Sequence, residues 1–443
     1  MIKQYDSYKP SFIDWFPEIP KHWQVVKCNH YIHLRHGYQF MNYDFTPEGI
    51  KVVKITQLKP DGTLDASEAS NVDESRLNEF MDIIINEGDI LMALTGGTIG
   101  KIIKVREVKE PLLQNYRVGN FFPVNDKMDK DFMFWVLSSD VISSQIFFEQ
   151  RETGQPNIGK ENFNSMHIAL PLVSEQISIA NFLDKKTSQI DALIANKKKL
   201  IELLKEERTA IINNAVTKGI NPKAKLKPSG IEWLGDIPEH WQEKKLKYVV
   251  SKIGSGITPT GGASVYQKEG IPLLRSQNIY TDGLVLEDVA YISEEVDAEM
   301  SNSRIQEDDV LLNITGASIG RCFYVPIGFG RGNVNQHVCI IRPIQTKIRT
   351  KYLHFVIISD YGQTLIDVFQ GGANREGLNY QQIKSFDIPL PKIAEQEVII
   401  SQIELEMNKI GTTISKIEKE IELMQEYRTA LISEVVTGKI KVI

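Results

Sequence analysis

EQISIANFLDKKTSQIDALIANKKKLIELLKEERTAIINNAVTK, residues 175–218, contains neither proline nor glycine. Leu183, Ile190, Leu204 and Ile211 lie on one seven-residue period, and Leu193, Ile194, Leu200, Ile201 and Ala215 widen them into an apolar stripe. That is the pattern of a long amphipathic helix that packs against a partner helix. About 40 residues at ~1.5 Å each make a rod of roughly 60 Å. Such a rod is too apolar on one side to stand alone in water. Ser174 is the expected N-cap, with Glu175 favourable in the first turn. Gly219-Ile220-Asn221-Pro222 should end the helix. Lys197 falls on the stripe by its stem alone.

The same chain offers a partner. Residues 395–439 place Ile403, Met407, Ile410, Ile414, Ile417, Ile421, Met424, Leu431 and Val435 at alternating helical steps, interrupted by Arg428. The ends of the two segments match. Glu202-Leu203-Leu204, Arg208-Thr209-Ala210 and Val216-Thr217 recur as Glu422-Leu423-Met424, Arg428-Thr429-Ala430 and Val436-Thr437. The spacing, roughly 220 residues, is far longer than a solenoid period, so a domain and its helix have been duplicated.

With 443 residues of ordinary composition, each half can bury a sizeable core. No apolar run approaches ~18 residues, so no membrane span is expected. The opening MIKQYDSYKPSF lacks the apolar core of a signal peptide. Cys28, Cys322 and Cys339 follow no metal spacing and read as free thiols in a reducing cytoplasm. A net charge of −6 weighs against nucleic-acid binding unless the basic residues are locally concentrated.

Read in order, residues 1–170 form a first domain, 171–222 a helix, 223–229 a basic, flexible linker, 230–390 a second domain and 391–443 a second helix. The first dozen residues read as a loose lead-in. Trp15-Phe16-Pro17-Glu18-Ile19-Pro20-Lys21-His22-Trp23-Gln24 has its counterpart in Trp233-Leu234-Gly235-Asp236-Ile237-Pro238-Glu239-His240-Trp241-Gln242. These read first as packing anchors. Short apolar runs at 52–55, 82–85, 89–94 and 102–105 look like strands, and 132–150 like one helix. In the second half, 254–262 reads as a loop, while 273–279 and 309–316 take the places of 52–58 and 89–96. The frame is shared; the middles diverge.

Two further motifs carry the echo. Thr95-Gly96-Gly97-Thr98-Ile99-Gly100-Lys101 recurs as Thr315-Gly316-Ala317-Ser318-Ile319-Gly320-Arg321. Backbone N–H groups, a hydroxyl and a cation in this order could hold a phosphate; equally, they could make a tight turn with a solvated cation. Gln114-Asn115-Tyr116-Arg117 corresponds to a run ending in Asn335-Gln336-His337. Gln, Asn and Arg can pair bidentately with base edges. The same holds for Gln155 and Asn157, for Arg275, Gln277 and Asn278, and for Asn374 with Arg375. Each is also an ordinary surface polar group. Lys51, Lys54 and Lys59, and Lys101, Lys104, Arg106 and Lys109, are local basic runs that could track a backbone or simply be the wet face of strands. The sequence holds no Gly-x-Gly-x-x-Gly after a strand and no His/Cys metal cluster.

The paired Ile-Pro-x-His-Trp, Thr-Gly-x-Ser/Thr-Ile-Gly and Leu-Pro-x-x-x-x-Glu-Gln motifs, in one order twice, resemble the DNA-specificity subunits of type I restriction–modification systems over nearly the whole chain. The resemblance implies an α+β fold: two similar mixed α/β target-recognition domains separated by two long helices that pair as an antiparallel coiled coil, with an internal pseudo-two-fold. It implies a non-catalytic subunit without cofactors that reads a bipartite, asymmetric site on double-stranded DNA. Two methyltransferase subunits and restriction/translocase subunits are the implied partners. S-adenosylmethionine, ATP and Mg are implied for those partners.

Overall fold

A computed structural model describes residues 3–153, 157–370 and 377–442. It divides into two compact units, Met1–Lys197 with Lys419–Ile443, and Lys198–Glu418. Each unit joins one globular domain to a stretch of both long helices.

In the first unit an antiparallel sheet orders Ile32–His36, Val118–Pro123, Ile90–Ala93 and Ile102–Lys104. The strand Ile90–Ala93 is buried on both faces. Ile90 and Met92 enter the core beneath the helices and Leu91 enters a second core, as the two-residue period of a strand requires. A second sheet orders Leu112–Gln114, Ile50–Val53, Ser70–Val72 and Phe45–Thr46, its first pair parallel. The strand His167–Leu170 pairs with Gln24–Lys27 and runs on towards the central helix.

The second unit repeats this plan. Its antiparallel sheet orders Val250–Ser255, Val338–Pro343, Val310–Asn313 and Cys322–Tyr324. Val310 and Leu312 share one core and Leu311 lies in another. The strand Asp387–Leu390 pairs with Gln242–Lys245 and precedes the C-terminal helix.

The central helix is Val173–Lys218, of 46 residues, and the C-terminal helix is Ile393–Val436, of 44. Each is bound to its own domain by a buried glutamine. Gln176 Nε2 donates to the carbonyls of Pro171 and Lys127, both at 2.9 Å, and its Oε1 accepts from Asp129 N at 2.7 Å. Gln396 does the same with Pro391, Lys347 and Arg349. This is the physical content of the repeated Glu-Gln pair.

Within the first unit the two helices run antiparallel. Asp191 accepts from Arg428 Nε at 2.9 Å, and Lys197, further along the central helix, pairs with Glu420, which lies earlier in the other. Ile190 and Ile194 join Leu431 and Val435 in one core. In the second unit Ile212, Ala215 and Val216 join Ile399 and Ile403.

Several expectations need correction. Leu193 and Leu200 are 50% and 44% exposed, so they lie outside the seam. The buried line runs through Leu183, Thr187, Ile190, Ile194 and Ile201, with half-buried Lys197 between the last two, in steps of three and four that leave both leucines one residue off. Ile212 is buried more deeply than Ile211. The other expected seam residues are buried or half-buried.

Ser174 is not the N-cap, because the helix already begins at Val173. The segment 132–150 is two helices, Lys130–Leu137 and one beginning at Asp140, with the break at Ser138 and Ser139. Residues 82–83 end a 3-10 helix, Glu74–Ile83, and Ile84 makes a single bridge to Leu113, so no strand forms there. Gly254 belongs to the strand Val250–Ser255 rather than to a loop. Strands form within both the lead-in and the linker. Tyr8–Pro10 pairs with Glu18–Pro20, and Leu226–Pro228 with Asp236–Pro238, and the partner strand holds a buried isoleucine each time, Ile19 or Ile237. No helix among the described residues is long and apolar enough to cross a membrane.

Candidate nucleic-acid interface

The central strand of each main sheet ends where three loops meet. Leu94, just past Ile90–Ala93, donates its N–H to the Arg117 carbonyl at 2.9 Å and accepts from Ile158 N at 2.8 Å. Thr95 bridges Asn157. The Thr95–Lys101 turn, the Asn115-Tyr116-Arg117 turn and the segment at Asn157 therefore converge. Ile314 organises the second domain identically. Its N–H donates to the His337 carbonyl at 3.0 Å, its carbonyl accepts from Leu378 N at 2.9 Å, and Thr315 bridges Gly377. Gly96 and Gly316 take positive φ, 76° and 74°, where a side chain would be strained, and this turns the chain sharply at the strand end.

Burial separates supporting residues from presented ones. Gln114 is fully buried. Its amide accepts from Arg35 Nε at 3.1 Å and donates to the carbonyls of Arg35 and Val118 at 3.0 and 2.6 Å. It holds the turn from beneath instead of offering an edge to a base. Burial lowers the pKa of Arg35, against the pull of Asp89 and Asp82. Asn115 and Asn335 are buried, and each accepts from the backbone two residues on, at Arg117 and His337. Asn278, also buried, ties Arg275 N to the Val285 carbonyl. These four shape turns.

Arg117 is exposed, with its guanidinium over the Tyr116 ring and Nε donating to the Tyr116 hydroxyl at 2.8 Å. Asn157, Gln277 and Gln336 are exposed. His337 is half-buried. Its Nδ1 meets Thr315 Oγ1 at 2.5 Å and its Nε2 meets Gln336 Nε2 at 2.9 Å. Arg321 is half-buried against the Tyr280 ring. Lys101 Nζ donates to the Leu58 carbonyl at 3.1 Å, and Arg275 to the Asp288 carbonyl at 2.8 Å, so both cations have intramolecular work. Ser318 Oγ accepts from Asn313 Nδ2 at 3.2 Å, whereas Thr98 Oγ1 is buried without a partner. Gln155, Asn374 and Arg375 lie outside the described residues.

The basic runs are largely neutralised. Lys51 pairs with Glu110, Lys59 with Asp65, Lys104 with Asp131 and Lys109 with Glu107. Lys54 donates to Ser70 and lies over the Phe45 ring, and burial lowers its pKa. Net acidity is thus matched by locally paired lysines, which leaves the loop cluster as the polar surface of interest.

A fourth loop reaches each cluster: the one after Gly37 in the first domain and after Gly256 in the second. Tyr38 bridges Asn115, and Gly256 N–H donates to the Asn335 carbonyl at 3.1 Å. Motif comparison missed it, because its side chains differ between the halves. The shared signal is a glycine closing a strand, followed by a large apolar residue.

Two mixed domains on one frame, each ending in a cluster of divergent loops and each bound to a long helix of an antiparallel pair, define a duplicated recognition protein. The family profile described as "Type I restriction modification DNA specificity domain" matches residues 20–203 and again 238–423. The chain belongs to that family. It is 30% identical over 225 residues to the type I restriction enzyme MjaVIII specificity subunit of Methanocaldococcus jannaschii. That match covers 50% of this chain and 51% of the relative. It is 25% identical over 415 residues to the EcoBI specificity subunit of Escherichia coli, covering 90% of this chain and 81% of that one. A chain from a solved type I R-M system overlays with a TM-score of 0.71 at 14% identity, covering 95% of this chain and 99% of its own, a likeness of fold.

Proposed function

We propose that this chain is the DNA-reading subunit of a type I restriction–modification enzyme. Each domain reads one half of a bipartite, asymmetric target, and the chain positions methyltransferase and restriction subunits there without catalysing a step. One observation carries this reading. The same convergence of loops is built twice on one frame and filled with different side chains, Arg117 and Asn157 in one domain, Gln336 and His337 in the other. A frame held constant under a varied surface is what reading two different half-sites requires.

In this reading Arg117, Asn157, Gln277, Gln336 and His337 face base edges, where Arg selects guanine and Asn or Gln adenine. Thr95, Thr98 and Lys101, with Thr315, Ser318 and Arg321, line the turns that approach the backbone, and contacts there fix register rather than sequence. Arg275 supports its loop through Asp288. S-adenosylmethionine, ATP and Mg belong to the partner subunits. The outward faces of the long helices are the proposed docking surface for the methyltransferase subunits.

The test is a domain exchange. Residues 25–170 are replaced by the equivalent part of another family member, and the methylated positions in host DNA are mapped. One half of the target should change and the other persist. A change in both halves, or in neither, would refute the modular reading.

A further inference from the structure

Gly37 and Gly256 occupy one position in the two domains, each closing the strand that flanks the reading turn, Ile32–His36 or Val250–Ser255. A Cβ on Gly37 would overlap the carbonyl group of Gln114, and one on Gly256 that of Val334. Glycine is what lets this loop press against the reading turn. The residue that follows is large, apolar and exposed both times: Tyr38 at 45% and Ile257 at 54%. Exposed apolar residues scattered singly need no explanation. Its recurrence in both domains, directly after the glycine that packs against the turn, calls for one.

Tyr38 is held at both backbone groups. Its N–H donates to the Gln114 carbonyl at 3.0 Å and its carbonyl accepts from Tyr116 N at 2.9 Å, so it brackets Asn115 and is bonded to the residue before Arg117. Its ring packs against Phe40 and Phe80, with centroids 4.9 and 5.1 Å away. A ring supported in this way is poorly placed to slide between stacked bases. It offers a rigid apolar face whose ordering cost has already been met in folding. In the major groove the apolar feature of the base edges is the C5-methyl of thymine.

We propose that Tyr38 and Ile257 are apolar base-reading residues, each making van der Waals contact with the methyl group of a thymine in its own half-site. The proposal rests on the DNA-reading function above and names a specificity determinant for it. Tyr38 serves the half-site read by Arg117, and Ile257 the one read by His337. The difference between an aromatic and an aliphatic contact adds to the difference between the two halves.

The experiment uses the full chain assembled with its methyltransferase subunits, and DNA duplexes carrying the target mapped from host methylation. Thymines are replaced one at a time by uracil, which removes the methyl group and leaves the pairing edge intact. In each half-site one replacement should weaken binding about four-fold, the worth of one buried methyl group. Tyr38→Ala should abolish that penalty in the first half-site alone, and Ile257→Ala in the second alone. Tyr38→Phe keeps the ring and should keep the penalty; its loss there would assign the contact to the hydroxyl and overturn the proposal. Penalties that survive both alanine variants, or no penalty at any thymine, would also overturn it. If the parent complex fails to distinguish its target from unrelated DNA, the underlying function fails instead, and the parent protein alone reveals that.

Discussion

Trp241 Nε1 donates to Glu395 Oε1 at 3.0 Å, joining the start of the second domain to the first turn of the C-terminal helix. His240 meets the other oxygen of the same carboxylate at 2.8 Å. The first unit keeps the histidine, His22 to Glu175 at 3.0 Å, but changes the second donor. There the Tyr5 hydroxyl donates to Glu175 at 2.5 Å, while the buried Trp23 indole has no partner. Glu395→Ala should therefore strand the Trp241 indole at a cost of about 1–3 kcal/mol. Adding Trp241→Phe to that variant should restore part of the loss, a non-additivity expected of a contacting pair. Urea midpoints of the single and double variants provide the check. Strict additivity would show that the indole bond carries nothing.

The placement of the seam can be tested with neighbouring residues. Ile201 is buried and Leu200 exposed, although both lie on the apolar stripe of the sequence. Aspartate at either site incurs a similar helix-propensity cost, so their difference reports burial. Ile201→Asp should lower stability by at least about 2 kcal/mol, and Leu200→Asp by less than about 1 kcal/mol. Aspartate is the suitable probe, because a lysine could extend its ammonium to solvent as Lys197 does to reach Glu420. Thermal unfolding of the two variants decides it.

The frame was legible because it is written twice. Duplicated Pro, Trp, Gly and Glu-Gln positions mark where chain direction and helix entry are set, and such positions tolerate few residue types. The seam was less clear, since Leu193 and Leu200 widen an apolar stripe without facing the partner helix. Local polar chemistry was least legible. Gln114 and Arg117 are separated by two residues, yet one is sealed beneath the turn and the other stands outside it. That difference follows from Arg35, which is distant in sequence and takes up the glutamine amide. The two-helix break at Ser138 and Ser139 was hidden for a similar reason, because the apolar spacing continues across it.

His354 gives the second domain an acid sensitivity. It is buried among Phe323, Tyr324 and Phe355, and burial together with the Arg208 charge pushes its pKa down to about 3. The unfolded chain takes up a proton near 6.5, the ordinary value, while the folded chain stays neutral. This contribution to stability is therefore whole above about pH 6.5 and shrinks as pH falls, by up to roughly 1.4 kcal/mol per unit. At pH 5 the loss should approach about 2 kcal/mol. Its Nδ1 has no hydrogen-bond partner, so His354→Leu forfeits nothing at that atom. The variant should lose less stability than the parent between pH 7.5 and pH 5, as read from unfolding midpoints. Parallel pH curves would show that the imidazole titrates alike in both states.

Gln114 and Arg117 separate folding from reading. Gln114→Ala removes the acceptor of Arg35 Nε and the donor to two carbonyls in a buried place, and should cost about 2–4 kcal/mol of stability. Its effect on DNA binding should act through the shape and stability of the turn and fall on no single base pair. Arg117→Ala touches an exposed guanidinium whose nearest partner is the adjacent Tyr116, so stability should move by less than about 0.5 kcal/mol. Affinity of the assembled complex for its target should fall by about 1–3 kcal/mol if a guanine edge is lost, with discrimination relaxed at one position of the first half-site. A phosphate contact would behave differently. Binding would then weaken equally on all sequences, and the salt dependence would drop by about one ion. Measuring the variant on target and unrelated DNA at two salt concentrations distinguishes the two roles. Unchanged affinity on both DNAs would remove Arg117 from the interface.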